Sequence, residues 1–226
     1  MKGWCMESTQ WQFILLGFNV EDSKLLITPY ASKHSVNVCS QGMLLCASSQ
    51  PDCLERFFNE IGAIFGKKLI VGNLGEAVID ILTQRNQKLG IAESCTGGLL
   101  AYQLTSISGA SAVFDCGIIA YANDIKERVL GVDSQSLVQF GAVSEVVVAQ
   151  MCEGILELSG ADFALATSGV AGPSASEQKP VGLVFIGVQQ RGERAIIQRC
   201  NFGNLPRTQI QHYTAQNALA MLLNHI

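Results

Sequence analysis

Two hydroxyl groups and a thiol stand next to one another in this sequence, directly ahead of two glycines. Ser94, Cys95 and Thr96 precede Gly97-Gly98, and an apolar run typical of a helix follows. The residues before Ser94 indicate a short buried strand, so the hydroxyls fall in a strand–turn–helix connection. A hydroxyl there can attack a substrate, bind a polar ligand or cap the helix. Free backbone N–H groups at the helix start could also bind a phosphate or stabilise an oxyanion.

A serine nucleophile needs a nearby base, and the sequence offers a lysine for this role. The histidines His34, His212 and His225 have no spacing that indicates a Ser-His-Asp triad, and there is no G-x-S-x-G motif. Lys126 follows a predicted strand and could act as a base if burial or neighbouring cations favour its neutral form. The alternative is an ordinary solvated lysine. Tyr121 could hydrogen-bond to Lys126 or to a substrate, or lie at the edge of the core.

Other polar groups also stand where strands are predicted to end. Cys95 is a second candidate nucleophile, because a thiol at a helix N-terminus has a lowered pKa. No histidine partner is indicated for it, so we place it below the serine. Thr167-Ser168-Gly169 again puts small hydroxyls at a strand end before a glycine. Gly169 and Gly172 would let a ligand approach the backbone, although an ordinary flexible loop is the alternative. Asn123 could bind a polar ligand group or cap a helix.

From residue 74 onwards, helices and strands alternate along the chain. Apolar runs predict strands at 88–92, 112–121 and 164–168, and a hairpin of 183–188 with 195–200. Helices are predicted at 74–86, 123–130 and 144–158 and from Pro206 onwards, with Asn123 or Asp124 as the cap of the helix at 123–130. This order predicts an α/β fold, a three-layer α/β/α sandwich with a mixed sheet. Ligands in open α/β sheets bind beyond the carboxyl ends of strands, so the loops described above could form one site.

Residues 1–72 have a different pattern and predict a small α+β domain ahead of a larger domain at 73–226. Strands at 35–39 and 43–47 flank a Gln41-Gly42 turn, and a third strand follows at 68–71. Asp52 is expected to cap a helix that ends near Gly66. The apolar face of this helix consists of Leu54, Phe57, Phe58, Ile61 and Ile64.

Composition excludes several functional classes. Of 226 residues, 48% are hydrophobic and 15% are charged, which excludes disorder as the main state. No apolar run reaches the ~18 residues that span a bilayer, and residues 12–18 are too short for a secretory signal, so we expect a cytoplasmic protein without a membrane partner. The net charge is −4 without a clustered basic run, so no nucleic-acid partner is expected. Eight scattered cysteines without a C-x-x-C motif predict reduced thiols and no bound metal.

Five motifs, taken together, resemble one known family. They are Ala92–Gly98, Tyr121–Lys126 with Leu130–Val132, Gly141–Glu145, Ser168–Pro173 and Lys179–Gly182. In this order and spacing they resemble the CinA C-terminal domain, a family of nicotinamide-nucleotide amidohydrolases, across residues 74–226. The resemblance implies hydrolysis of the carboxamide of nicotinamide mononucleotide to nicotinate mononucleotide and ammonia, without metal or cofactor. It also implies a small-molecule pyridine nucleotide as partner, and a homo-oligomer, most simply a dimer.

The resemblance also implies roles for individual residues. Ser94 would be the nucleophile, Lys126 its base and Tyr121 a hydrogen-bonding neighbour of that base. The N–H groups of the turn after Ser94 would stabilise the oxyanion or hold the phosphate. The residues implied to bind substrate are Glu93, Cys95, Thr96, Gly97, Gly98, Asn123, Ser168, Gly169, Gly172 and Arg207.

The sequence departs from the family pattern in two places. Ser174–Glu177 replaces a glycine-rich stretch, and Gln211 stands where the family has a second arginine. The alternatives are therefore a catalytically inactive nucleotide-binding module of the same fold with a competence or damage-related role, or an interaction domain of a larger assembly. Residues 1–72 resemble the small KH-like domain that precedes the amidohydrolase domain in longer CinA proteins. Without a GXXG clamp, this likeness predicts no RNA binding.

Overall fold

The computed structural model describes residues 9–175 and 179–226. The chain forms two compact units that divide after Leu74. Each unit has its own sheet and its own hydrophobic core. One of the eight cysteines, Cys5, and two residues of the Ser174–Glu177 stretch, Ser176 and Glu177, lie outside the described residues.

The first unit is a four-stranded antiparallel sheet with two helices packed against it. Its elements are β1 Thr9–Leu15, α1 Val20–Lys33, β2 Asn37–Gln41, β3 Leu44–Ser49, α2 Pro51–Phe65 and β4 Leu69–Val71. The strand order is β2-β3-β1-β4, and each neighbouring pair is antiparallel. The core combines Phe13 and Leu45 of the sheet with Ile27, Leu54 and Phe57 of the helices. The predicted small α+β architecture is confirmed, whereas the likeness to a KH-like domain stays a prediction.

Two elements of this unit, β1 and α1, are absent from the sequence-based prediction. In β1, glutamines alternate with Trp11 and Phe13 over a short stretch, and α1 contains Pro29. The buried residues of α1 are Ser23, Ile27 and Ala31. One large apolar side chain among three buried positions gives a weak helical periodicity, so tertiary packing rather than local pattern determines this helix.

The predicted cap of α2 is wrong. Asp52 lies inside the first turn, and the N-cap is Gln50, whose side chain makes no capping hydrogen bond. Pro51 occupies the first helical position, where its missing N–H needs no partner and its fixed φ suits a helix. Ile64, which was expected to be buried, is 51% exposed. The predicted end is confirmed, because Gly66 is the C-cap.

The second unit is built on a mixed sheet. Its strands are β5 Leu89–Glu93, β6 Phe114–Ile119, β7 Phe163–Gly169, β8 Leu183–Gln190 and β9 Ile196–Asn201. They lie in the order β6-β5-β7-β8-β9. β5 runs parallel to both β6 and β7, while β8 is antiparallel to β7 and to β9. The predicted strands and hairpin are confirmed, and the carboxyl ends of β5, β6 and β7 lie at one edge of the sheet.

Helices cover both faces of this sheet. In the described part of the second unit they are α3 Leu74–Arg85, α4 Leu99–Thr105, α5 Asn123–Leu130, α6 Ser134–Phe140, α7 Glu145–Ser159 and α8 Arg207–Leu223. Gly90 of β5 faces α7, whereas Glu93 of the same strand contacts the start of α4, and α4 packs against α8. The three-layer α/β/α sandwich is therefore confirmed, although α6 was not predicted. No helix within residues 9–175 and 179–226 is long and apolar enough to cross a membrane.

The caps of two helices in this unit can be compared with prediction. The predicted start of α7 at Ser144-Glu145 is confirmed, and Ser144 is its N-cap, because its hydroxyl accepts a hydrogen bond from the N–H of Val147. The N-cap of α5 is Ala122, so the expectation that Asn123 or Asp124 caps this helix is wrong. Asn123 is instead the first helical residue, at the point where the chain leaves β6.

Gly154 lets α7 pack directly against the end of α5. A Cβ atom at this position would collide with the backbone carbonyl of Leu130. We expect Gly154→Ala to lower the free energy of unfolding by at least about 2 kcal/mol, because a backbone segment must move to make room. Urea unfolding followed by circular dichroism measures this change.

Gly62 in α2 provides the matched control, since the same substitution meets no obstacle there. Its added Cβ would lie 3.9 Å from Cδ2 of Leu69, an ordinary contact. Gly62→Ala should therefore be neutral or stabilise by up to about 1 kcal/mol, because alanine is the better helix former. Equal destabilisation by the two substitutions would contradict the packing argument.

Candidate active site

A cleft opens where β5, β6 and β7 end. Ser94 follows β5, Tyr121 lies just beyond β6, and Ser168 is the penultimate residue of β7. The cleft has a volume of about 250 Å³. Its lining residues are Ser94, Cys95, Tyr121, Asn123, Lys126, Ala142, Val143, Ser168, Gly169, Val170, Ala171, Gly172, Ser174 and Arg207. All of the site residues expected from the sequence line it except Glu93, Thr96, Gly97 and Gly98.

Ser94 and Lys126 are in direct contact in this cleft. Nζ of Lys126 lies 3.0 Å from Oγ of Ser94. Lys126 is 1% exposed, so the alternative of a solvated surface lysine is wrong. Its side chain reaches from α5 back to the segment after β6, where Nζ donates to the carbonyl oxygens of Ala120 at 2.7 Å and Tyr121 at 3.3 Å.

These contacts suit either protonation state of Lys126. A carbonyl oxygen can only accept, so Nζ must donate to Ala120 and Tyr121. A hydroxyl both donates and accepts, so Ser94 can accept from an ammonium or donate to the lone pair of a neutral amine. Burial disfavours the charged form of an amine. The arrangement can therefore transfer a proton between Ser94 and Lys126.

The side chain of Glu93 forms hydrogen bonds with the N-terminus of α4. Its buried carboxylate accepts hydrogen bonds from the backbone N–H groups of Gly98 at 2.9 Å, Leu100 at 3.1 Å and Ala101 at 2.8 Å. A negative charge is stabilised at this position by the unpaired N–H groups of the helix. The structure thus corrects the expectation that these groups are open to a phosphate, because the protein's own carboxylate occupies them.

The other turn residues hold the shape of the backbone around Ser94. Gly97 and Gly98 have φ angles of 63° and 100°, in the left-handed region that favours glycine. The N–H of Gly97 donates to the carbonyl of Ser94 at 3.2 Å, and the hydroxyls of Thr96 and Thr167 hydrogen-bond at 2.8 Å. These contacts give Thr96 and the two glycines a role in positioning Ser94 rather than in lining the cleft.

Gln211 of α8 forms a hydrogen bond with the same turn. Its Nε2 donates to the carbonyl oxygen of Cys95 at 2.9 Å. Its amide side chain thus holds the backbone next to Ser94, which gives Gln211 a structural role in this chain.

Cys95 is a poor candidate for a nucleophile. Burial raises the pKa of its thiol to about 12. The thiolate is the reactive form of cysteine, so the expectation of a lowered pKa at the helix start is wrong. The helix N-terminus cannot lower it, because Glu93 already neutralises the N–H groups there. Cys95 lines the cleft as a neutral thiol.

We expect Cys95 to resist alkylation in the native protein. With a pKa of about 12, the thiolate fraction is about 10⁻⁴ near pH 8. Iodoacetamide should therefore label the exposed Cys39 well before Cys95, and time-resolved peptide mapping of the same sample measures both rates. Labelling of the two thiols at equal rates would contradict the burial argument.

The hydroxyl of Tyr121 contacts Arg207 rather than the lysine. Nη2 of Arg207 donates to this hydroxyl at 2.8 Å, and Nη1 donates to the carbonyl oxygen of Gly172 at 2.7 Å. Tyr121 does neighbour Lys126, but through its backbone carbonyl. Tyr121 is exposed and Arg207 is half-buried, and together they form one wall of the cleft, the exposed wall.

The end of β7 supplies the remaining wall. The hydroxyl of Ser168 donates to the carbonyl oxygen of Ala142 at 2.7 Å, which ties β7 to the loop before α7. A Cβ atom at Gly169 would lie 2.6 Å from Cγ2 of Val184, so this glycine allows close packing behind the cleft. Gly172 has a φ of 84°, which accounts for glycine there.

The sequence-based prediction did not include residues that contribute to the cleft through their backbone atoms. The carbonyl of Ala120 contacts Lys126, and no side-chain pattern could mark it. Ala142 and Val143 line the cleft, and their place within the Gly141–Glu145 motif was the signal that could have found them.

Arg207 gives the cleft a positive charge in a chain whose net charge is −4. Lys126 adds to this charge when it is protonated, and no carboxylate of the described residues lines the cleft. Such a cleft suits an anionic ligand. In residues 9–175 and 179–226, no group of three or more His, Cys, Asp or Glu residues is placed to hold a metal ion.

Comparison with known proteins agrees with this architecture. The CinA C-terminal domain family matches residues 72–226. A CinA-like protein from Prochlorococcus marinus is 40% identical over 201 residues, which cover 87% of this chain and 47% of that protein. A CinA-like protein from Pseudothermotoga lettingae is 39% identical over 185 residues, covering 76% of this chain and 46% of that protein. The chain therefore spans less than half the length of these relatives.

Solved structures give the same result for the second unit. The competence/damage inducible protein CihA from Agrobacterium tumefaciens is 43% identical, with a TM-score of 0.65 over 67% of this chain and 93% of that chain. A CinA superfamily protein from Escherichia coli is 31% identical, with a TM-score of 0.66 over 68% of this chain and 89% of that chain. The family match covers more than half of the chain and includes the whole cleft, so the chain belongs to the CinA family through its C-terminal domain.

Proposed function

We propose that the second unit hydrolyses the carboxamide of nicotinamide mononucleotide, giving nicotinate mononucleotide and ammonia. The observation that carries this proposal is the buried contact of 3.0 Å between Oγ of Ser94 and Nζ of Lys126. A hydroxyl with an amine as its base is a known solution for nucleophilic attack on an acyl carbon. Membership of the CinA family supports the choice of substrate.

The proposed reaction has two halves. In the first, neutral Lys126 takes the proton of Ser94 as Oγ attacks the amide carbon. The lysine then gives this proton to the amide nitrogen, the C–N bond breaks and ammonia leaves, so an ester remains on Ser94. In the second, Lys126 takes a proton from water, which attacks the ester, and this proton returns to Ser94 as the carboxylic acid leaves. The acid then gives its own proton to the released ammonia, so the final products are the carboxylate and ammonium.

The oxyanion of the tetrahedral intermediate needs hydrogen-bond donors. Gly98, Leu100 and Ala101 cannot serve, because their N–H groups donate to Glu93. We propose the N–H of Cys95 as the donor, since this residue follows the nucleophile and lines the cleft.

The phosphate of the nucleotide is proposed to bind at Arg207. A guanidinium has five N–H donors, and the contacts with Tyr121 and Gly172 use one each on Nη2 and Nη1. The remaining donors can bind phosphate oxygens, which arginine recognises through paired hydrogen bonds. This places the anionic end of the substrate at the exposed wall and its carboxamide at Ser94.

The test is to incubate the purified chain with nicotinamide mononucleotide and measure both products. We expect ammonia and nicotinate mononucleotide in equal amounts, with a rate that a metal chelator leaves unchanged. Failure to form either product, together with a ligand-dependent rise in melting temperature, would overturn the proposal. That result would favour the alternative of a nucleotide-binding module without turnover, because a ligand that binds the native state raises its apparent stability.

A further inference from the structure

We propose that Cys39 and Cys46 form a thiol oxidation site, in which a disulfide closes across the hairpin of β2 and β3. Both belong to the first unit, and neither has a role in the proposed hydrolysis. Cys39 is directly opposite Cys46 in the antiparallel register of the two strands. Both are free thiols.

The register brings these two residues to the spacing that a disulfide needs. Directly opposed residues of an antiparallel pair have Cα atoms about 4.5–5.5 Å apart, depending on the type of pair. Disulfides span Cα separations of about 4.4–6.8 Å. Side chains of opposed residues also project from the same face of the sheet, so the bond can form without a change in strand register.

The two thiols differ in solvent exposure and therefore have different roles in the oxidation. Cys39 is exposed, whereas Cys46 is buried and its Sγ contacts Oε1 of Gln41 at 3.4 Å. Burial raises the pKa of the Cys46 thiol above its ordinary value, and the neighbouring Cys39 thiol raises it further. Because Cys39 is exposed and Cys46 is buried, Cys39 is the thiol that an oxidant reaches first, and Cys46 is the resolving thiol behind it.

The reaction uses a small-molecule disulfide as oxidant. The Cys39 thiolate attacks one sulfur of oxidised glutathione, forms a mixed disulfide and releases one glutathione thiolate. Cys46 then loses its proton, and its thiolate attacks the Cys39 sulfur and releases the second glutathione thiolate. Two protein thiols are oxidised to one disulfide, while one glutathione disulfide is reduced to two thiols.

The sequence makes this reaction simple to follow. Cys39, Cys46 and Cys53 fall within one tryptic peptide, His34–Arg56. The full chain is equilibrated with graded ratios of oxidised to reduced glutathione, its remaining thiols are blocked with iodoacetamide after unfolding, and the digest is analysed by mass spectrometry. As the ratio rises, we expect this peptide to change from three alkyl groups to one, on Cys53, with the loss of two hydrogen atoms.

Three variants make the outcome specific. Cys53→Ser is the matched control and should still form the bond. Cys39→Ser should leave Cys46 reduced, and Cys46→Ala should stop at the glutathione adduct of Cys39. The proposal is overturned if wild-type protein accumulates that adduct at every ratio without closing the bond, or if the disulfide involves Cys53. A disulfide between two chains, visible on a non-reducing gel, would overturn it equally.

Discussion

Ser94→Ala is expected to reduce the rate of ammonia release from nicotinamide mononucleotide by at least about 1,000-fold, which is about 4 kcal/mol of transition-state stabilisation. The substitution removes the atom that forms the covalent ester. In the folded protein it removes the contact with Nζ of Lys126 and adds no atoms, so the variant should keep its circular dichroism spectrum. Single-turnover measurement with the labelled nucleotide checks the rate and shows whether an acyl-enzyme forms.

The control for this prediction is the same chemical change outside the cleft. Ser106 is exposed at the end of α4, where its hydroxyl contacts the carbonyl oxygen of Gln103 at 3.4 Å. Ser106→Ala should hydrolyse the nucleotide as the wild type does. Ammonia release by a folded Ser94→Ala protein at the wild-type rate would rule out the serine as nucleophile.

Lys126→Met is expected to lower the same rate by at least about 100-fold, the lower range for loss of a general base. Methionine keeps most of the length of the side chain but supplies no proton acceptor. It leaves the carbonyl oxygens of Ala120 and Tyr121 without this donor, so we also expect a loss of about 1–3 kcal/mol in stability. Thermal unfolding measured beside the rate separates the two effects.

Lys126→Arg distinguishes a base from a fixed positive charge. Arginine keeps the charge and the donors but stays protonated at any useful pH, so this variant should be as inactive as Lys126→Met. High activity in Lys126→Arg would mean that the lysine acts through its charge alone. Lys88→Met is the matched control, because Lys88 lies just before β5, at the opposite end of that strand from Ser94. Its half-exposed ion pair with Asp115 contributes little to stability.

Local patterns were sufficient to predict the framework of the second unit. The start of α7 at Ser144-Glu145, the buried run of β7 and the hairpin of β8 and β9 are each determined by neighbouring residues. Because three parallel strands end at one edge, the sequence could also predict that Ser94, Lys126 and Ser168 lie in one cleft.

The remaining features depend on contacts between distant residues. Lys126 is buried in α5, which packs against the distant helix α7, and the hydrogen bond of Arg207 with Tyr121 joins residues 86 positions apart. The family resemblance implies that Glu93 binds substrate, yet its carboxylate contacts the start of α4 and does not line the cleft. In the first unit, α1 carries one large buried apolar residue, Ile27, which is too weak a signal without knowledge of the sheet that it covers.

The carboxylate of Glu93 also bears on the orientation in which a charged substrate would bind in the cleft. A helix start is an attractive place for an anion, and here that attraction is already satisfied from within the protein. A second negative group brought to the same place would meet repulsion instead. Under the proposed function, the substrate has a neutral amide at one end and a phosphate at the other, and we expect it to bind with the phosphate towards Arg207, away from this repulsion. Glu93 would thus discriminate between the two ends of the molecule without touching it.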